Sequence, residues 1–152
     1  MQLHLNEEEI RDVVRLARER GVTPVLADRD LTWLGLYEVD LQGTDFRGSN
    51  LSSTTLSKCN LAGADLSRAQ LNNANLALAN LESANVSNAN LFLANLRAVN
   101  LRNANLRNAV LDGANLRDAN LEGADLSNAQ FDDHTRWTIG FDPVSAGAKR
   151  RS

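Results

Sequence analysis

The sequence of 152 residues is poor in the residues on which several common protein classes depend. It contains one cysteine, Cys59, and only two histidines. A lone cysteine excludes an intramolecular disulfide framework and a multi-cysteine metal site, and it is compatible with a reducing compartment. Aromatic residues make up 5% and isoleucine occurs twice, so a sandwich or barrel of β-branched and aromatic strands is not expected.

Neither a strong charge nor a long apolar run is present. The formal net charge of -3 argues against a basic, nucleic-acid-binding surface and equally against a strongly acidic one, so we expect no direct nucleic-acid binding. No segment approaches the roughly 18 apolar residues of a membrane span. The start of the chain is acidic at Glu7, Glu8 and Glu9, unlike a signal peptide. These features predict a cytoplasmic protein without membrane association.

What the sequence has instead is a five-residue repeat. In steps of five from Leu36 to Phe131, all twenty positions are apolar, and seventeen of them are Leu. The residue two places earlier is Ala in thirteen cases and small or apolar in the others, and the residue one place earlier is Asn or Asp in fifteen. The repeating unit is therefore Ala-Asn/Asp-Leu-X-X.

A period of five fits neither an α-helix nor a simple alternating strand. Ala and Leu, two residues apart, can both point inward from a short extended segment, while the other residues form a corner and face water. Such a unit buries little by itself, but stacked coils bury a continuous column and pair the backbone of each coil with its neighbours. The repeat thus predicts an all-β solenoid.

The segments Asn75–Leu81 and Ala114–Leu121 resemble the pentapeptide-repeat family. This resemblance implies a right-handed quadrilateral β-helix in which four repeats form a coil of twenty residues, and hence about five coils here. The stretch from Thr135 to Pro143 is similar to the ending of many cyanobacterial members of the family. Members of the family have varied roles, so the resemblance implies a fold more strongly than a function.

Both ends of the chain are predicted to be caps, and three regions follow: residues 1–30, an N-terminal capping helix and connector; residues 31–131, the β-helix; and residues 132–152, a C-terminal cap and flexible tail. Asn6 is a suitable N-cap and Gly21 a suitable terminator for an α-helix with an apolar stripe from Ile10 to Ala17. We expect this helix to cover the first coil with the help of Trp33 and Tyr37. Residues 145–152 are small and basic, and they are expected to be disordered.

The sequence offers no convincing catalytic or cofactor site. Asp132, Asp133 and His134 could suggest acid–base or metal chemistry, but adjacent residues in a cap rarely converge, and capping roles are favoured. Cys59 occupies an inward position, which indicates a buried small side chain rather than a reactive thiol. The Asn and Asp ladders are better explained by hydrogen bonding between corners than by metal binding. We therefore predict a protein that is not an enzyme and needs no cofactor.

Positions twenty apart would stack in such a coil. Arg97 would then lie beside Arg117, and Glu82, Arg102 and Glu122 would form a ladder of alternating charge. These rows are interpreted chiefly as a solvated face.

Apolar residues also occur where the repeat should face water. Phe92 and Leu93 follow a core leucine, and Val110 replaces the usual Asn or Asp. On the coil pattern they share one face, with Arg97 and Arg117 nearby. The patch is interpreted either as a site for a partner protein or a second copy, giving weak self-association, or as tolerated sequence drift.

The favoured function is a non-catalytic protein–protein interaction module, a rigid rod that binds a partner of unknown identity through Phe92, Leu93, Val110, Arg97 and Arg117. The alternative, implied by the resemblance alone, is a DNA mimic that modulates a type II topoisomerase such as gyrase. The charges of the repeat disfavour that alternative, because nine acidic and seven basic residues within 31–131 nearly cancel.

Overall fold

The computed structural model describes residues 4–152, and its α-helix, α1, is Glu7–Glu19. The Asn6 side chain accepts a hydrogen bond from the Glu9 amide, and the Glu9 side chain accepts one from the Asn6 amide, so a capping box starts the helix. Gly21 follows the helix in the left-handed conformation at φ 65°. The predicted helix and its ends are confirmed. No helix within residues 4–152 is long and apolar enough to cross a membrane.

After α1 the chain winds into coils of twenty residues. Isolated parallel bridges join residues twenty apart in an unbroken series from Val25 to Gln130. In a typical bridge, the Leu61 amide donates to the Asn80 carbonyl at 2.7 Å, and the Asn80 amide donates to the Cys59 carbonyl at 2.9 Å. A coil therefore holds four repeats, as predicted, and residues 25–131 make just over five coils. The β-helix begins at Val25, earlier than the predicted boundary at residue 31.

Two columns of side chains fill the interior. The central column holds the repeat leucines, and it already includes Leu26 and Leu31 at 1% and 0% exposure. The second column holds mostly alanines, with Thr and Ser in the early coils. Two of their hydroxyls have backbone partners: Thr54 Oγ1 donates to the Leu31 carbonyl and Ser49 Oγ to the Phe46 carbonyl, both at 2.7 Å. The Thr44 hydroxyl is buried without a partner in residues 4–152. Each fully buried leucine stabilises the fold by about 1.5–3 kcal/mol.

The corners of the coils share one backbone conformation. Every fifth residue from Asp28 to Asn128, the second after a central apolar residue, has φ between 55° and 70°. The turn is closed by a bond such as that from the Ala64 amide to the Leu61 carbonyl at 3.0 Å, and a positive φ at the third residue is typical of a type II turn. Glycine suits this position, but Leu78 and Leu93 adopt the same conformation at φ 62° and 57°.

The seat of α1 on the first coils is apolar at its centre and polar at its edges. Ile10 and Val14 are buried against the core. At one edge Glu7 Oε1 accepts a hydrogen bond from the Gly35 amide at 2.7 Å, and at the other Arg18 Nη1 donates to Asp40 Oδ2 at 2.7 Å. The helix therefore covers this end of the solenoid, where unpaired strand edges would otherwise face solvent.

The predicted role of Trp33 and Tyr37 in seating α1 is wrong. Both are outward corner residues, because Leu31 and Leu36 are central positions of the repeat. Trp33 is 80% exposed and Tyr37 is 46% exposed. Tyr37 instead lies under Lys58, whose Nζ is 5.3 Å from the ring centroid.

At the other end, strand β1, Gln130–Phe131, pairs in parallel with strand β2, Lys149–Arg150. The Lys149 amide donates to the Ala129 carbonyl and the Arg151 amide to the Phe131 carbonyl, both at 2.7 Å. The expected disorder of residues 145–152 is therefore wrong. The exposed edge of the last coil has backbone groups that need partners, and the tail supplies them.

The end of the rod is closed by aromatic packing. Trp137 meets Phe131 edge to face at 5.5 Å between ring centroids and lies 5.4 Å from the ring of Phe141. The coil spacing changes here, since the Asn115 bridge reaches Arg136, twenty-one residues on, rather than residue 135. This change of register marks where the regular repeat gives way to the C-terminal cap.

Candidate functional site

The polar residue before each central leucine has a structural task. Its side chain accepts a hydrogen bond from the amide two residues on, as Asn95 Oδ1 does from Arg97 at 3.1 Å. Many of these side chains also bond along the rod, as Asn95 Nδ2 does to Asn75 Oδ1 at 3.2 Å. The predicted ladders are confirmed as corner-to-corner hydrogen bonding. Most polar side chains next to the central leucines are therefore engaged in hydrogen bonds that stabilise the fold.

Val110 interrupts one of these ladders. Asn90 Nδ2 donates to Gln70 Oε1 at 3.3 Å, but the next coil places Val110 at the equivalent position, bridged to Asn90 on one side and Gln130 on the other. A valine side chain can neither continue the ladder nor accept a hydrogen bond from the amide of Asp112. The interruption puts an apolar side chain on an otherwise polar face.

A shallow groove lies beside this interruption, with a volume of about 550 Å³. We call it the Phe92 groove, and it is defined by seven residues: Asn90, Phe92, Val110, Asp112, Asp132, Arg151 and Ser152. Phe92 is 42% exposed and provides the aromatic wall. Two residues of the predicted patch, Phe92 and Val110, are thus brought together, and Arg151 and Ser152 of the C-terminal tail also line the groove.

Leu93 lies at the corner next to the groove. Its side chain is 49% exposed and extends over the following coil, where a Cβ built on Gly113 would be 2.6 Å from Leu93 Cδ2. Leu93 therefore adds apolar surface beside Phe92 without being part of the groove lining.

Asp112 is the groove residue that sequence reasoning missed. All other residues at this corner position, from Ala27 to Asp132, are half-buried or exposed, but Asp112 is only 7% exposed. Arg151 Nη1 donates to Asp112 Oδ2 at 2.8 Å, while Asp112 Oδ1 is buried without a hydrogen-bond partner in the described part of the chain. No sequence signal reveals this pairing, because the two residues are thirty-nine positions apart and depend on the unexpected order of the tail.

The two arginines of the predicted patch lie elsewhere. Arg97 lies one repeat after Phe92, and its Nε donates to Asp118 Oδ2 of the following coil at 3.4 Å. Arg117 lines a separate cleft of about 360 Å³ with Asp118, Trp137, Thr138 and Ile139. The predicted five-residue site therefore divides into an apolar region at the Phe92 groove and a charged region on the adjacent corner of the coil.

Comparison with known proteins identifies the fold family. The sequence matches pentapeptide repeats in eight copies, over residues 36–69, 59–97 and 89–133. A crystal structure of the pentapeptide repeat protein Rfr23 from the cyanobacterium Cyanothece 51142 is 31% identical, with a TM-score of 0.74 over 82% of this chain and 96% of that chain. The chain belongs to the pentapeptide-repeat family.

Two other solved structures are similar. Alr5209 from Nostoc Pcc 7120 is 30% identical over 92% of this chain and 93% of that chain, with a TM-score of 0.41. QnrB1, a plasmid-mediated fluoroquinolone resistance protein, is 19% identical over 88% of this chain and 68% of that chain, with a TM-score of 0.51, and shares the fold. No curated protein matches the sequence.

The acidic residues of the C-terminal cap are held by hydrogen bonds and an ion pair within the chain. Asp132 Oδ1 accepts hydrogen bonds from the amides of Gly113, His134 and Thr135 at 2.9–3.1 Å. Burial, the largest influence, raises the pKa of Asp132, but these bonds outweigh it and the net shift is downward. Asp133 pairs with Arg150 of the tail. Within residues 4–152 no group of three or more His, Cys, Asp or Glu is placed to hold a metal ion.

Cys59 lies in the second interior column, as predicted. It is 1% exposed, and its thiol donates to the Leu36 carbonyl. Burial raises the pKa of the Cys59 thiol from 9.0 to about 11. A thiol of this kind stays protonated at neutral pH and packs as a small apolar side chain.

Proposed function

We propose that this pentapeptide-repeat chain is a non-catalytic interaction module that binds a protein partner through the Phe92 groove and the adjoining Leu93. The observation that carries the proposal is the interruption of a polar ladder by Val110 next to two exposed apolar side chains. Exposed apolar residues are common singly, but a contiguous group beside a groove is typical of interfaces.

The rod provides such a surface at low entropic cost. Its corners are fixed by backbone hydrogen bonds between coils, so the side chains at the groove are held in place before a partner arrives. Association of a preorganised surface loses less conformational entropy than association of a flexible one. An exposed aromatic side chain such as Phe92 offers a large apolar area that a partner can bury.

Imitation of DNA, the alternative function, finds no support in the surface charges. A DNA mimic needs continuous rows of negative charge. In this chain Arg102 lies between Glu82 and Glu122 at 3.8 and 3.9 Å, so one such row alternates in sign. A gyrase supercoiling assay tests the alternative: no effect at micromolar protein would remove it.

The proposal is tested by affinity capture from a lysate of the source cells. The wild type is compared with Phe92→Glu combined with Leu93→Glu, and bound proteins are identified by mass spectrometry. A matched control is Ala77→Glu with Leu78→Glu, which alters the same two corner positions on another face, where Leu78 is 57% exposed. Each variant is first checked by circular dichroism and thermal unfolding.

We expect at least one protein to be captured by the wild type and the control but lost with the Phe92 and Leu93 variant. Its binding is then measured with purified components, where the variant should bind at least about tenfold more weakly, equivalent to 1.4 kcal/mol. Equal capture by all three chains would contradict the proposal.

A further inference from the structure

The Asp112 carboxylate carries an unmet hydrogen-bonding demand at the Phe92 groove. Its side chain is 10% exposed, Arg151 satisfies one oxygen, and the other, Oδ1, has no partner in residues 4–152. A buried carboxylate oxygen without a donor is costly, and such an atom in a native fold calls for an explanation. Because Arg151 pairs with one oxygen alone, the charge of this carboxylate is only partly compensated within the chain.

The charges lining the groove favour a cationic donor. Asp112 and Asp132 are acidic, and Arg151 is the one basic residue among the lining residues, which leaves one excess negative charge. Asp132 is already held by three amides. A single positive charge beside Asp112 would give the carboxylate a second cationic partner and offset the excess negative charge of these side chains.

The walls of the groove suit a cation attached to an apolar stem. Phe92 and Val110 offer an aromatic ring and a branched aliphatic side chain in the same groove lining as the carboxylate. The methylene groups of lysine or arginine pack on apolar surface while the charged end reaches a polar partner. An aromatic face also attracts a cation directly.

The chain itself already uses this chemistry at the same end of the rod. The tail residues Arg150 and Arg151 come from an extended segment and pair with Asp133 and Asp112. These pairs show that the acidic end accepts basic side chains delivered by an extended backbone.

We infer that the Phe92 groove binds a lysine or arginine side chain of the protein partner, with its stem against Phe92 and Val110 and its charged group paired with the Asp112 carboxylate. This inference rests on the proposed function, since it assigns the chemistry of the partner at the same surface. It predicts that the contacting segment of the partner is basic.

The test is an NMR titration of the isotope-labelled full chain. The probe is N-acetyl-lysine methylamide, and the matched control is N-acetyl-norleucine methylamide, which has a similar stem without the ammonium group. We expect shift changes at Val110 and Phe92 with the lysine probe and an affinity at least about tenfold weaker for norleucine, equivalent to 1.4 kcal/mol.

Two variants separate direct binding from an effect on the tail. Asp112→Asn removes the carboxylate and should abolish the preference for lysine over norleucine. Arg151→Gln frees the carboxylate from its internal partner and should strengthen binding of the lysine probe. If the two substitutions acted only by loosening the tail, both would change the affinity for the lysine probe in the same direction. Asp118→Asn, which alters an acidic residue outside the groove, should leave binding unchanged.

Equal shifts with lysine and norleucine, or an unchanged preference in Asp112→Asn, would overturn the inference. These outcomes are distinguishable from failure of the proposed function. If protein capture depends on Phe92 and Leu93 while Asp112→Asn has no effect, the interaction surface stands and the basic partner chemistry is wrong.

Discussion

Leu93 extends over Gly113 in the next coil, so that a Cβ at residue 113 would lie 2.6 Å from Leu93 Cδ2. Two requirements therefore meet at Gly113. Its φ of 68° favours glycine, and the space above it is occupied by a side chain of the candidate binding surface. Gly43 has a similar φ of 66° but nothing within 4 Å of a built Cβ.

The contrast predicts different costs for the same substitution. Gly43→Ala should destabilise the fold by about 1 kcal/mol, because only the left-handed conformation is penalised. Gly113→Ala should cost about 0.5–1.5 kcal/mol more, because the exposed Leu93 side chain must leave its present rotamer. Chemical denaturation measures both free energies of unfolding. Adding Leu93→Ala to Gly113→Ala should recover most of the extra cost, and equal losses for the two glycine variants would show that Leu93 does not restrict residue 113.

Leu78 offers the converse substitution. It adopts φ 62° at an outward corner and is 57% exposed, so its side chain has little packing to lose. Asparagine tolerates the left-handed conformation better than leucine does. Leu78→Asn should therefore stabilise the fold by about 0.5–1 kcal/mol, in the range of other substitutions that fit a local conformation. Ala77→Asn, at the neighbouring position without a positive φ, should give no such gain in thermal unfolding.

The inward positions could be predicted because the repeat itself specifies them. A leucine every five residues and a small residue two places before it can share an interior only in a coil. The same five-residue spacing, extended toward the N-terminus, includes Leu26 and Leu31 as central positions. That extension would have predicted Trp33 at an outward corner and an earlier start of the β-helix. That signal was present in the sequence.

The C-terminal wall of the groove had no comparable signal. The bridges change from a spacing of twenty to twenty-one at Asn115 and nineteen at Gln130, so the position of the tail does not follow from the repeat. The contact between Asp112 and Arg151 depends on that register and on strand β2. The apolar residues at outward positions predicted part of the Phe92 groove. The burial of the Asp112 carboxylate could be found only from the structure.

The Cys59 thiol should make stability depend on alkaline pH. Burial raises its pKa in the folded state from 9.0 to about 11, so between these values the folded protein binds more protons than the unfolded chain. The stabilisation is fully present below pH 9 and is lost as pH rises through about 11. Cys59→Ala places the commonest residue of the second column at this position and removes the titration.

We therefore expect the free energy of unfolding of the wild type to fall more steeply than that of Cys59→Ala between pH 9 and 11. Urea denaturation at several pH values measures the difference, and other titrating groups cancel in the comparison. Parallel curves for the two proteins would show that the thiol does not titrate differently on folding. In agreement with its burial, Cys59 should react with a thiol reagent at pH 8 only after unfolding.

Val110→Asn separates stability from binding at the proposed interface. Asparagine at residue 110 can donate to Asn90 and accept from the Asp112 amide, as the neighbouring ladder residues do in their own coils. The substitution should therefore leave stability unchanged or raise it by about 0.5–1.5 kcal/mol, the net contribution of one hydrogen bond. The same change removes an apolar wall of the Phe92 groove, so capture of the partner should fall. Thermal unfolding measures the stability of the variant. Higher stability with weaker capture of the partner would indicate that Val110 favours binding over the hydrogen-bonded ladder. Unchanged capture would identify Val110 as sequence drift.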